Sequence, residues 1–257
     1  MSLVPVFPAT ATSGYANGVA RHRRRPEAAR APLPRDPWAP QGAEPAVAHL
    51  HARWRLLDDQ PTGAEVVSPR ARALLIDPHG PLLRQIAASQ PDGTIALTHP
   101  GPTIDADHIT GQVAATLGCA ALPASRLELV LPEAALIDLD TDGLLALSAL
   151  RDLGIGLCLD AFGAGISSLT LLRRLPLTSL KLARTLVRAV PTDREDATIL
   201  RAVITTAHAV GLTVIGDGIE TEHQRAFLAH SGCDEGQGPL FGPPRQVTAL
   251  PRNGILA

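Results

Sequence analysis

Asp160 and Asp217 each close a short apolar run, Ile155–Asp160 and Leu212–Asp217, while Lys181 lies inside a third run, Leu177–Leu182. Lys181 is the sole lysine in a chain with 23 lysine and arginine residues. Charged groups that finish neighbouring strands meet at one edge of a sheet, where they can grip a charged ligand or neutralise one another. Both readings stay open for Asp160 and Lys181: they are a ligand-binding pair, or a salt bridge that caps the strands and keeps the rim neutral.

The elements that must position these residues are legible as alternation. Thr94–Thr98, Leu127–Leu131, Ile155–Asp160, Leu177–Leu182 and Leu212–Asp217 read as buried strands, and residues 105–118, 140–153, 167–174, 193–210 and 221–231 between them read as helices. Strands and helices in alternation specify a parallel sheet covered by helices. No glycine-rich phosphate fingerprint follows the early strands, so a closed TIM-like (β/α)8 barrel is expected rather than an open doubly wound sheet. Its chemistry would then sit at the C-terminal ends of the strands.

Residues 45–250 have room for one such barrel. Residues 1–44 hold Arg21-His22-Arg23-Arg24-Arg25 and then Pro26, Pro32, Pro34, Pro37 and Pro40, without apolar periodicity, and read as a disordered tail. A net charge of −2 and a charged fraction of 19% give no global attraction to nucleic acid or acidic lipid, so nucleic acid is not an expected partner. Cys119, Cys158 and Cys233 are odd in number and far apart, which disfavours a disulfide framework or a zinc site. No apolar stretch is long enough to span a membrane and the first residues do not read as a secretion signal, so a cytoplasmic protein without membrane contact is expected.

The stretch Leu150-Arg151-Asp152-Leu153-Gly154-Ile155-Gly156-Leu157-Cys158-Leu159-Asp160-Ala161-Phe162-Gly163-Ala164-Gly165-Ile166-Ser167-Ser168-Leu169 resembles the LRxLGxxLxLDDFGxGxSSL segment of EAL domains, bacterial cyclic-di-GMP phosphodiesterase barrels. Leu180-Lys181-Leu182, Ala207-His208-Ala209-Val210-Gly211-Leu212, Gly218-Ile219-Glu220-Thr221 and Gly232–Phe241 follow in the family's order. Upstream, Arg53-Trp54 is similar to the end of the EALLRW strand, which places His49 at the motif glutamate. The helix after Val67-Ser68-Pro69 is short, so the N-terminal half of the barrel is expected to be shortened and dented.

The resemblance implies two divalent cations held by a ring of oxygen ligands, and several ring positions have lost theirs. His49 stands for the motif glutamate, Ala96 for the VNLS asparagine, Val130 for the first ELEITE glutamate and Ala161 for the second aspartate of the DD pair, while Asp217 is a shortened glutamate. Glu133 matches the glutamate that steadies the loop after the DDFG strand. The residues carried over as ligand-binding are Arg53, Asp160, Lys181, Asp217, Glu220, Gln237 and Phe241, with no catalytic residue, metal or cofactor assigned. These absences imply a chain that is not an enzyme and that receives cyclic-di-GMP without hydrolysing it. Two alternatives remain: a ligand-independent module that contacts a protein partner such as a transcription factor, and a weak phosphodiesterase using His49, Asp160, Asp217 and Glu220. A homodimer through the face around the DDFG loop is implied by the resemblance alone.

Overall fold

Runs of Leu, Ile and Val without polar interruption form strands that bury both faces, the condition of a parallel sheet inside a shell of helices. The computed structural model describes residues 47–67, 81–89, 92–99, 104–164 and 169–248. The tail read over residues 1–44 lies outside them, as do Gly165 and most of the segment on which pairing of two copies was expected.

In chain order the strands are β1 (Val47–Arg55), β2 (Gln60–Val67), β3 (Thr94–Thr98), β4 (Leu127–Pro132), β5 (Gly156–Phe162), β6 (Ser179–Leu182), β7 (Thr213–Asp217), β8 (Glu235–Gln237) and β9 (Arg245–Thr248). The helices are α1 (Pro81–Ser89), α2 (Ala106–Ala120), α3 (Ala134–Ile137), α4 (Thr141–Asp152), α5 (Leu169–Arg174), α6 (Arg184–Ala189), α7 (Arg194–Ala209) and α8 (Glu222–His230). β2 to β8 run parallel in sequence order. β1 closes the ring, antiparallel to β2 on one side and to β8 on the other, and β9 pairs antiparallel with its first half. The expected TIM-like barrel is therefore present as eight strands, with one strand reversed. The side expected to be dented is sealed, because β2 pairs with β3 in parallel on either side of the short α1 in sequence, and β1 hydrogen-bonds to both β2 and β8.

Side chains alternate inward and outward along each strand with a period of two. Ala96, Val130, Cys158 and Ile215 form one buried inward layer. Two residues further along their strands stand Thr98, Asp160 and Asp217, at the C-terminal mouth; two residues before Val130 stands Glu128, at the floor. The outward-facing residues, including Leu97, Leu129, Leu131, Leu157, Leu159 and Val214, pack against the helices in the main core. Each such side chain contributes about 1.5–3 kcal/mol by leaving water.

Three helix starts are fixed by side-chain caps. The Asp140 carboxylate accepts from Gly143 N at 2.8 Å to start α4, and Asp193 accepts from Glu195 N and Asp196 N to start α7. After β7, Thr221 and Gln224 make a reciprocal capping box for α8.

Candidate active site

Six polar side chains meet at the C-terminal mouth, each delivered by a different strand. Lys181 of β6 is buried, and its Nζ donates to both carboxylate oxygens of Glu65 on β2, at 2.8 and 3.0 Å. The same ammonium stands 3.1 Å from Asp160 Oδ1 at the end of β5. Gln237 of β8, buried as well, uses one amide nitrogen to reach Glu65 Oε2 at 2.6 Å and Asp217 Oδ1 at 3.0 Å. Thr98 of β3 donates to Glu65 Oε1 at 3.0 Å, and Arg184 Nε, at the start of α6, donates to Asp217 Oδ2 at 2.8 Å.

Above this network lies an open cavity of about 390 Å³, lined by His51, Glu65, Asp160, Ala161, Lys181, Arg184, Asp217 and Gln237 among others. Burial alone would raise the Glu65 carboxyl, but the Lys181 charge and the hydrogen bonds from Gln237 and Lys181 outweigh it and hold the group at about 2. Burial would equally favour loss of the Lys181 proton; the Glu65 and Asp160 carboxylates outweigh that and raise the ammonium above the usual lysine range. His51 on β1 is held below its usual value, mainly by burial and only partly offset by Glu65. The Glu65–Lys181 pair is therefore charged throughout the neutral range.

The structure brings Asp160, Lys181, Asp217 and Gln237 together as the sequence reading expected. It moves the remaining candidates elsewhere. Arg53 is not at the mouth: β1 runs downward there, so its guanidinium is buried at the opposite end of the barrel, 2.7 Å from Glu128 Oε2 and 3.6 Å from Glu235 Oε2. The same reversal displaces His49, which pairs in register with Val67 and does not line the cavity. The carboxylate the ring receives on that side is Glu65, in Gly63-Ala64-Glu65-Val66-Val67, which the sequence reading missed. Its signal was a glutamate within an otherwise small and apolar run. Thr98, not Ala96, is the β3 residue that reaches the network, since Ala96 lies one layer down with Val130.

Glu220 is exposed and outside the cavity; its backbone N–H donates to Gln224 Oε1 as part of the α8 cap. Phe241 stacks on Trp54 with ring centroids 6.1 Å apart and also stands outside the cavity lining. Ala161 does line the cavity, with its backbone in the left-handed region at φ 52°, and offers only a methyl group.

These features coincide with a known family. The model of the EAL domain matches residues 70–244, and the chain belongs to the EAL domain family. It is 39% identical over 142 residues to the cyclic di-GMP phosphodiesterase NbdA of Pseudomonas aeruginosa, an alignment covering 55% of this chain and 18% of that protein. The crystal structure of the EAL domain of Mycobacterium smegmatis DcpA matches with a TM-score of 0.69 and 26% identity, over 77% of this chain and 91% of that one. The MucR phosphodiesterase of Pseudomonas aeruginosa, solved as a c-di-GMP complex, matches with a TM-score of 0.64 and 25% identity over 77% and 92%. The chain spans less than a third of the length of the first curated relatives it matches.

The expectation that this chain is not an enzyme is corrected by NbdA and MucR, which are named as phosphodiesterases. Its physical ground narrows too, because the glutamate read as lost at His49 is supplied by Glu65. The family implies divalent cations, and the three carboxylates are hard oxygen donors of the right kind. As they stand, however, they are engaged by Lys181, Gln237 and Arg184, and Ala96, Val130 and Ala161 bring no donor. Among the described residues no group of three His, Cys, Asp or Glu side chains is placed to hold an ion. The arrangement does not fit a resident cation pair, and the chemistry below rests on the chain's own side chains. Among the described residues, no helix is long and apolar enough to cross a membrane.

Proposed function

We propose that the barrel mouth binds cyclic-di-GMP and that the chain acts on its phosphodiester as a member of the EAL family. The observation that carries this reading is the convergence of Glu65, Asp160 and Asp217 on Lys181 and Gln237 beneath an open cavity at the C-terminal face. Family membership and the names of the relatives supply the ligand class.

The roles divide by exposure. Glu65 is buried and firmly ionised, so it neither gives nor takes a proton near neutrality; it fixes the Lys181 ammonium under the cavity. Lys181 offers a buried positive charge to the anionic diester, where low dielectric strengthens it. Asp160, whose side chain is 26% exposed, is the carboxylate that can orient a water toward phosphorus and accept its proton as the P–O bond to one ribose oxygen breaks, that oxygen taking a proton from solvent to become the free hydroxyl of the linear dinucleotide. Gln237 couples Glu65 to Asp217 and keeps the two sides of the ring in register.

The test is to titrate the protein with cyclic-di-GMP by calorimetry and to follow formation of the linear dinucleotide chromatographically, with and without magnesium or manganese. Saturable binding and turnover are expected, with Asp160→Asn retaining binding and losing at least about a hundredfold in rate, the low end for a removed acid–base group. Absence of heat at millimolar nucleotide overturns the reading of the ligand. Binding without turnover under every metal condition overturns the reading of the reaction.

A further inference from the structure

Arg184 is built differently from the other cation at the mouth. Lys181 has its ammonium committed to Glu65 and Asp160 within 3.1 Å and is buried. Arg184 is the first residue of α6, on the rim just beyond the end of β6, and its side chain is 67% exposed. One edge of its guanidinium is used: Nε donates to Asp217 Oδ2 at 2.8 Å, and Asp217 is itself held from the other side by Gln237. Among the described residues nothing accepts from Nη1 or Nη2, and the side chain lines the cavity.

The stem is seated as well. Gly218 has φ +79°, and a Cβ there would stand 2.8 Å from Arg184 Cγ and 3.2 Å from Cδ. Only a residue without a side chain lets the arginine stem lie across the turn after β7. The guanidinium is thus aimed from two sides, by Asp217 along its Nε edge and by Gly218 beneath its methylenes, while its outer nitrogens meet no acceptor among the described residues. A planar fork held in that way suits the two non-bridging oxygens of a phosphodiester, which it can bind with parallel charge-assisted hydrogen bonds.

We propose that Arg184 is the phosphate anchor of the site: its Nη groups bind the non-bridging oxygens of one phosphodiester of the cyclic dinucleotide, and Asp217 with Gly218 preorganises it to do so. The proposal rests on the function proposed above and assigns the phosphate contact to a residue that the sequence reading did not consider. Preorganisation matters because a free arginine surrenders rotamer entropy on binding, whereas this one is already oriented.

Calorimetric titrations of cyclic-di-GMP into the parent, Arg184→Gln and Arg184→Lys proteins at two salt concentrations test it. Two lost charge-assisted bonds predict a Kd about 10- to 100-fold weaker for Arg184→Gln, with a smaller salt dependence. Arg184→Lys keeps the charge but not the fork and should fall between. Thermal melting of Arg184→Gln should stay near that of the parent, because an exposed ion pair contributes little to stability. Should Arg184→Gln melt well below the parent, the Arg184→Lys protein decides the matter. If the parent binds and both variants match it in Kd and salt dependence, the anchor is overturned while the ligand stands. If the parent fails to bind at millimolar nucleotide, the reading of the ligand falls and the anchor with it.

Discussion

At the scale of single residues, the mouth is governed by one buried pair. Glu65 has no exposed route to relieve its charge, and Lys181 answers it at 2.8 Å. Because the Glu65 carboxyl is held at about 2 when folded and returns to about 4.5 when unfolded, its ionisation favours the folded state. That contribution is complete above about pH 4.5 and is lost as pH falls from there toward 2. Urea unfolding across this window should show the parent losing a few kcal/mol, on the order of 3 at the shift involved. Glu65→Gln should be less stable at pH 7 by about 3 kcal/mol, since it leaves a buried ammonium with a single carboxylate partner, and should lose less further stability between pH 4.5 and 2. An acid limb as steep in Glu65→Gln as in the parent would mean that other carboxylates carry it.

The elements explain why part of the site was legible in the sequence and part was not. The strands from β3 to β7 are apolar runs separated by helical periods, so Asp160, Lys181 and Asp217 could be placed at their ends from spacing alone. β1 and β2 carry no such signature. Pro61 sits inside β2 and argues against a strand, yet it is tolerated because it faces Trp54 where the register of the β1–β2 ladder shifts. The turn between them is made by Asp58 and Asp59, with Asp59 at φ 53° and the Asp58 carboxylate accepting from Gln60 N. Without that hairpin, β1 reads in the direction of the other strands, which sends Arg53 to the wrong end and puts His49 in the place of Glu65. In the folded chain Arg53 joins β1 to Glu128 of β4 and Glu235 of β8 across the barrel floor. Its Nε and Nη2 are buried there without a hydrogen-bond partner among the described residues. Burial raises the Glu235 carboxyl, and Arg53 restrains it. Arg53→Ala should therefore cost about 3–5 kcal/mol of stability by leaving the buried Glu128 and the half-buried Glu235 carboxylates without their cation. The fraction that stays folded should bind cyclic-di-GMP as the parent does, the reverse of what a phosphate contact at Arg53 would give.

At the scale of the whole molecule, the question is how much chain the ring requires. A barrel is stable as a unit because closure leaves no open edge, and here closure is accomplished by β1, which bonds to β2, β8 and β9. All of these strands fall within residues 47–248. The mouth draws its side chains from β2, β3, β5, β6, β7, β8 and the start of α6, and the floor from β1, β4, β6 and β8, so the site and its support share the same ring. Residues 1–46 lie outside the described residues. A chain shortened to residues 45–250 should then unfold cooperatively within about 2 °C of the full chain, the shift expected when well under 1 kcal/mol is lost from a domain of this size. Its Kd for cyclic-di-GMP should agree with that of the full chain within a factor of two or so, a difference under about 0.5 kcal/mol. Differential scanning calorimetry and nucleotide titration on the two chains side by side decide it. A large drop in melting temperature would show that the removed residues contribute to the barrel's own packing. An unchanged melt with weakened binding would show that the removed residues contribute to ligand affinity, beyond what the barrel and its Arg184 supply.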